Sequence, residues 1–431
     1  MRRTQFIACA SARAGSKHGA SRRTSNAKMP KHFAAVMVAM SAAAMPLLAR
    51  AQSSVTLYGI IDTGLTYVNN QQVTTPSGGI EGKSAWSMTS GNVAPATFGL
   101  KGVEDLGGGT AAIFDLRSYF LSNNGALFEP NSLFDATAMV GLKSDAFGTL
   151  TLGRQFDSYT DALAPFAVSN AWAGPAGAHF GDIDNLNAAF NVNNAVKYVS
   201  PNFGGFALSG TFSFGNQAGA FATNRAWALA VNYSNGPFSA AGGYLSVRNP
   251  FNSVLHGDTT YVGELSCGQT PVSYCQMQNS DELRTFGFGA GYSLNELTVN
   301  AVVTSSKLVG SQYLTASNGP KSDIRFDTGE VNASYYLTST LQAGIAYSYT
   351  RATISAIDSR SNIHKVSLGT VYNLSKRTAL YGTVNFEKMT GDGLAINPIT
   401  GSPENYAQLA YTGTSNSSSQ VAVSIGIKHN F

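Results

Sequence analysis

The chain has 431 residues, only 12% of them charged, with 45 Gly, 24 Phe and 19 Tyr against 14 Pro. Ordinary soluble domains carry about twice that charge, and an aromatic, glycine-rich mix favours pleated strands over helices. No run of eighteen apolar residues follows the first fifty positions, which excludes the spanning helices that a bilayer demands.

The chain opens on a leader. Residues 33–48, FAAVMVAMSAAAMPLL, form an apolar stretch preceded by Lys28, Lys31 and His32, and Ala49-Arg50-Ala51 offers an A-x-A cleavage site before Gln52. That is the pattern of a secretory signal, so residues 1–51 are expected to be removed and 52–431 to form one domain. The first 28 residues are Arg- and Ser-rich; either translation starts at Met29, or a transit-type segment precedes the signal. The leader holds nine of the 28 Lys and Arg and none of the 24 Asp and Glu. The remainder therefore carries 19 basic and 24 acidic residues, a net −5, and the basic pI offers no argument for nucleic-acid binding.

Strand periodicity begins at once. In SVTLYGIIDTGLTY, Val55, Leu57, Ile61 and Leu65 alternate with Thr56, Tyr58 and Asp62. The same period of two recurs in LTVNAVV (297–303), LQAGIAYSY (341–349), KVSLGTVY (365–372), ALYGTVNF (379–386) and the terminal QVAVSIGIKHNF. One face is apolar; the other is hydroxyl, amide or glycine, as in a barrel whose strands face lipid on one side and water on the other.

Connections come in two lengths. Short ones fall at 104–109, 144–147, 200–205, 233–238, 293–296, 337–340 and 373–378; long polar ones at 69–91, 123–133, 157–192, 250–280, 309–321 and 388–418. Short turns alternating with long loops are the habit of outer-membrane barrels. About sixteen strands fit between them, the region 206–249 being the hardest to divide. The fold class expected is all-β, a transmembrane antiparallel β-barrel of about 16 strands, wide enough for an aqueous channel.

Cys267 and Cys275 flank GQTPVSY in a long loop and could form a disulfide in an oxidising compartment or remain thiols. His256 alone does not complete a metal site there, so neither metal nor cofactor is assigned. After the leader the histidines are His179, His256, His364 and His429, none in a nucleophile–base motif, and no enzymatic activity is expected. His179 reads as a pore-lining residue.

Several segments, in order, resemble the trimeric Gram-negative general porins, most closely those of β-proteobacterial type: SSVTLYGIIDTGL, FGLKGVEDLGGGTAAIFDL, MVGLKSDAFGTLTLGRQFD, NNAVKYVSPNFGGF, VYNLSKRTALYGTV and QVAVSIGIKHNF. The resemblance spans nearly the whole chain after the leader. It implies a passive outer-membrane channel for small hydrophilic solutes and ions, exported through the periplasm, homotrimeric and embedded in lipid. It also implies that Phe431 is the terminal aromatic read by the assembly machinery, and that the third loop folds into the barrel as a constriction. Asp157, Asp161, Asp182 and Asp184 would then form the acidic loop side, facing Lys101, Arg117 and Arg154 on the wall.

Alternation puts Lys101 and Arg117 on the lumen side, whereas Gly153 marks a bulge that leaves Arg154 undecided. Thr97 and Asn191 stand where the family pattern usually has Arg, so weak or cation-leaning selectivity is expected. The rival reading is a substrate-specific channel with an aromatic slide, for which Tyr58, Tyr119, Tyr159, Phe166 and Trp172 are the candidates.

Overall fold

The computed structural model describes residues 54–254, 274, 277, 279–312, 321–397 and 399–431. Its wall begins with β1 (Ser54–Thr74). The second half of β1 pairs with β2 (Ile80–Ser90) and the first half with β3 (Thr97–Gly107), so β2 and β3 are one wall strand interrupted at 91–96. The wall continues through β4 (Thr110–Tyr119), β5 (Thr137–Ser144), β6 (Gly148–Gln155), β7 (Val192–Val199), β8 (Phe206–Ser213), β9 (Ala226–Asn235) and β10 (Phe238–Arg248). It is completed by β11 (Glu282–Leu294), β12 (Leu297–Ser311), β13 (Ser322–Tyr336), β14 (Leu341–Ile354), β15 (Ser359–Asn373) and β16 (Thr378–Gly391). A small hairpin, β17 (Ala395–Ile396) and β18 (Pro403–Glu404), decorates the last long loop before β19 (Ser419–Asn430).

Wall neighbours pair antiparallel, and β19 closes the sheet by pairing with both β16 and β1. With β2 and β3 counted as one, the closed barrel has sixteen wall strands, as expected. Closure removes the unpaired edges that an open sheet would expose.

Alternation runs as the sequence implies. Val55, Leu57, Ile61 and Leu65 are exposed on the outer face, with Phe286, Phe288, Val303, Val331 and Ile345 further round; Asp62, Thr66, Glu330 and Asn332 are buried on the inner face. One expectation fails. Residues 69–91 are mostly wall, since β1 runs to Thr74, a turn occupies 75–79, and β2 begins at Ile80. A register shift between Val68 and Gln71, with Asn70 at φ 54, breaks the period of two and hides the strand.

The barrel is sealed at the C-terminus. The Phe431 N–H donates to the Gly59 carbonyl at 3.1 Å, and its ring lies where a Gly59 side chain would be. A Cβ at Gly59 would also meet the Thr97 carbonyl at 2.3 Å. Gly59→Val should therefore lower the denaturant midpoint of the barrel by the equivalent of about 1–3 kcal/mol, the usual cost of overpacking. An unchanged midpoint would contradict this view of closure.

Candidate functional site

The third loop, 156–191, folds against the inner face of the wall. Asp157 starts it by capping α1 (Ser158–Leu163), its carboxylate accepting from the Thr160 N–H and hydroxyl at 3.0 and 2.9 Å. Wall glycines leave room for the loop's large aromatic side chains. Tyr159 packs against Gly243 and Gly287, Phe166 against Gly289, and Trp172 lies over Gly344 and Gly369. Any Cβ at these last two wall positions would enter the indole. The loop then reaches the opposite side, where Gly174, at φ 65, lies too close to the Asn92 carbonyl to carry a side chain.

The resulting contact is a true core. Leu163, Phe166, Ile183 and Phe190 from the loop share one buried cluster with Leu245, Val302, Ile324, Phe326 and Ile363 from the wall. Phe180 stacks on Phe326 with ring centroids 6.2 Å apart.

Polar groups fasten the loop at a few points. His179, 4% exposed, donates from Nδ1 to Asp184 Oδ2 at 2.6 Å, and its Nε2 faces Glu330 Oε2 at 3.2 Å. Asp184 also accepts from the Thr304 hydroxyl at 2.7 Å, and Glu330 from the Val168 N–H at 2.7 Å and the Asn332 amide at 2.8 Å. Burial works against charge on the His179 ring, but the Asp184 carboxylate and the Glu330 contact overcome it and push the pKa up to about 10. The same imidazolium, with the hydrogen bonds, holds Asp184 below the usual carboxylate range despite its burial. On the next wall strand but one, Lys365 donates to the Ala178 carbonyl and pairs with Glu387 at 3.4 Å.

The predicted loop carboxylates thus divide. Asp157, Asp182 and Asp184 are buried: Asp182 accepts from the Asn187 and Ala189 N–H groups at 2.8 and 2.9 Å, and Asp157 also binds the Asn185 amide. Burial and the neighbouring Asp184 raise the Asp182 pKa. Only Asp161 is exposed, and it pairs with Lys197 on β7. These groups organise the loop and do not form one acidic face.

Across the lumen, Lys101 and Arg117 lie on the inner face as alternation requires; Lys101 sits 4.8 Å above the Tyr58 ring and Arg117 5.2 Å from the Phe156 ring. Tyr58 in turn donates to Asp115. Arg154 turns inward through a bulge at Gly153, which has φ 128. Its guanidinium bonds Asn193 Oδ1 at 2.7 Å, Glu129 Oε2 at 3.2 Å and the Asp135 carbonyl. A cavity of about 400 Å³ remains between loop 3, at 187–191 and Pro175–Ala176, and the wall at Thr66, Tyr119, Arg154 and Ser424, with Phe128 of the connection after β4 also lining it. Its charged lining is Glu129, Asp135 and Arg154.

Of the aromatic candidates, Tyr159, Phe166 and Trp172 are buried against the wall, and only Tyr119 borders the cavity. Tyr58 is held on the wall by Asp115. His179 lines no pore. Cys267 and Cys275 lie outside the described residues. Sequence reasoning did not single out Glu330, Lys365, Glu387 or Lys197, although an inward parity in a chain with so few charges marks all four.

The profile of the Gram-negative porins matches residues 34–392 of the chain. The chain belongs to that family. This porin is 28% identical to outer membrane porin protein 32 of Delftia acidovorans, over 92% of its own length and 99% of the relative's. It is also 28% identical to an outer membrane porin protein of Bordetella pertussis, over 89% and 96% of the two chains. Among solved structures, an anion-selective porin from Comamonas acidovorans superposes with a TM-score of 0.63 at 26% identity, covering 88% of this chain and all of that one. OmpT of Vibrio cholerae, at 15% identity and a TM-score of 0.58, shares the fold.

The porin is an outer-membrane channel of a Gram-negative bacterium, not an enzyme, and its outer face contacts lipid. Its short turns therefore face the periplasm and its long loops the exterior. Glu330→Gln should loosen loop 3, because removing one partner of a buried charge pair costs about 3–5 kcal/mol. Limited proteolysis between residues 170 and 185 reads this out, and unchanged resistance would deny the latch.

Proposed function

We propose that this porin is a general diffusion channel whose constriction is formed by loop 3, the passage running between 187–191 of the loop and the wall of β1–β6. The observation that carries this is the loop's course across the lumen, fastened at His179 and Ala178 and touching the far wall at Gly174. Burial of Tyr159, Phe166 and Trp172 speaks against an aromatic slide and for diffusion without a dedicated sugar site. Residues 1–51 act as a cleaved export leader, Phe431 as the assembly signal, and the working unit is a homotrimer, a form also named for Vibrio cholerae OmpT.

Trimming residues 160–190 should raise single-channel conductance in a planar bilayer. Unchanged conductance from a barrel that still resists heat would mean that another element sets the constriction.

Selectivity follows from the lining. The carboxylates of loop 3 are mostly buried, and the rest of the lumen lining balances Lys101, Arg117 and Arg154 on the wall with Asp115 on the wall and Glu129 and Asp135 in the connection after β4. Although the Comamonas neighbour is anion-selective, this balance supports weak selectivity here at neutral pH. Asp135 is tuned to change it. Burial pushes its pKa up to about 6, with Glu129 adding to the shift while N–H groups of Tyr119 and Glu129 oppose it. Below that pH the carboxylate is neutral and Arg154 loses a counter-charge. Reversal potentials in a salt gradient should therefore move toward anion preference between pH 7.5 and pH 5, and Asp135→Asn should show the low-pH value throughout. A pH-independent potential in the unmodified protein would contradict this assignment.

A further inference from the structure

The wall strand made by β2 and β3 does not run straight. Between the cross-strand pairs Ile60↔Thr97 and Thr63↔Ser90, two residues of β1, Ile61 and Asp62, stand opposite six, 91–96. A surplus of that kind cannot stay in the ladder, and here it turns inward. Val93 and Ala96 are buried, and Gly91, Asn92, Pro95 and Ala96 border the cavity beside loop 3. The Asn92 carbonyl meets Gly174 of loop 3 so closely that no side chain would fit between them.

A segment cut from the ladder has backbone groups that need other partners. Asp62 supplies them. Its carbonyl accepts from the Gly91 N–H at 3.0 Å, and its carboxylate Oδ2 accepts from the Val93 and Ala94 N–H groups, both at 2.9 Å. The side chain is fully buried, and its Oδ1 accepts from the Tyr381 hydroxyl at 2.5 Å. Tyr381 stands on β16, beyond β19, and reaches Asp62 because Gly426 and Gly64 follow it in one cross-strand row. A Cβ at either glycine would collide with the phenol oxygen. That oxygen also accepts from Asn92 Nδ2 at 2.9 Å. The Ser122 hydroxyl donates to the Asp62 carbonyl at 2.7 Å, and the Phe120 N–H to the Ala96 carbonyl at 3.0 Å, tying the segment to the connection that bears Glu129 and Asp135.

We propose that 91–96 is a fixed ledge, the wall's half of the passage beside loop 3, and that Asp62 and Tyr381 are the positioning residues that set its place. The proposal rests on loop 3 being the constriction. An unbroken strand would close the barrel equally well, so the insertion is not needed for closure. Burying a carboxylate is costly unless its hydrogen bonds are made; this one receives three, two of them from the ledge itself. Charge-assisted bonds of that number leave the ledge one geometry. Its location is the second argument, since the ledge meets the loop at the cavity and not at a rim.

The test is single-channel recording of the full-length porin in planar bilayers. Asp62→Ala leaves the Val93, Ala94 and Tyr381 donors without their acceptor, and the unitary conductance should spread from one value into several levels. Tyr381→Phe, which keeps the ring over its glycines, should do the same to a smaller extent. Asp62→Asn should restore the single value, because its amide oxygen accepts from the same two N–H groups. A charge on the ledge gives a readout that lost stability alone would not move. Pro95→Lys should shift the reversal potential toward anion preference, and adding Asp62→Ala should remove most of that shift, the two sites being coupled through the ledge. Conductance indifferent to Asp62→Ala and Tyr381→Phe would overturn the proposal, as would a Pro95→Lys variant with an unshifted potential. If trimming residues 160–190 still raises conductance in that event, the ledge alone falls; if trimming is also without effect, the constriction falls with it. Should Asp62→Ala fail to yield heat-resistant barrels, Tyr381→Phe combined with Pro95→Lys decides: a reduced shift supports the ledge and a full shift rejects it.

Discussion

An imidazolium held between two carboxylates inside a barrel is the interaction on which the seat of the third loop against the wall depends. Sixteen strands enclose more space than wall side chains can fill, so an unattached third loop would leave a wide tube. His179, charged between Asp184 and Glu330, joins the loop to β12 and β13 through Thr304 and Glu330. Lys365 adds a hold on β15. Neither cation is open to water, and removing either partner would strand a buried charge.

Packing completes what the charges locate. Glycines at 243, 287, 289, 344 and 369 leave hollows in the inner wall for Tyr159, Phe166 and Trp172. On one side the lumen is therefore filled by a hydrophobic core, and on the other a cavity of about 400 Å³ remains beside the loop. The same glycines that make the composition unusual thus have a location and a reason. Loop 3 is a structural member first, and its carboxylates mostly serve its own geometry.

Much of this was legible in the sequence, for physical reasons. A period of two survives wherever a strand has lipid on one side and water on the other, which is why β1, β12, β14, β15, β16 and β19 could be placed. It failed at 69–91, where the bulge at Asn70 shifts the register and polar residues fill both faces. The inward turn of Arg154 was foreshadowed by Gly153, whose φ of 128 suits glycine. The direction of the loop carboxylates was not legible. An Asp in a loop serves equally as a helix cap, a backbone acceptor or a pore charge, and only the folded path decides among them. Asp157 came nearest, since Asp is a preferred N-cap and the Thr160 N–H that it accepts lies three residues on.

The most direct measurement of the central interaction is the protonation of His179, observed by nitrogen NMR of histidine-labelled porin in detergent, with His179→Gln identifying its signal. The latch requires both ring nitrogens to carry protons at pH 8, with the charge lost only as the pH approaches about 10. A neutral ring at pH 8, titrating near the ordinary histidine value of about 6.5, would contradict the latch and the constriction built on it.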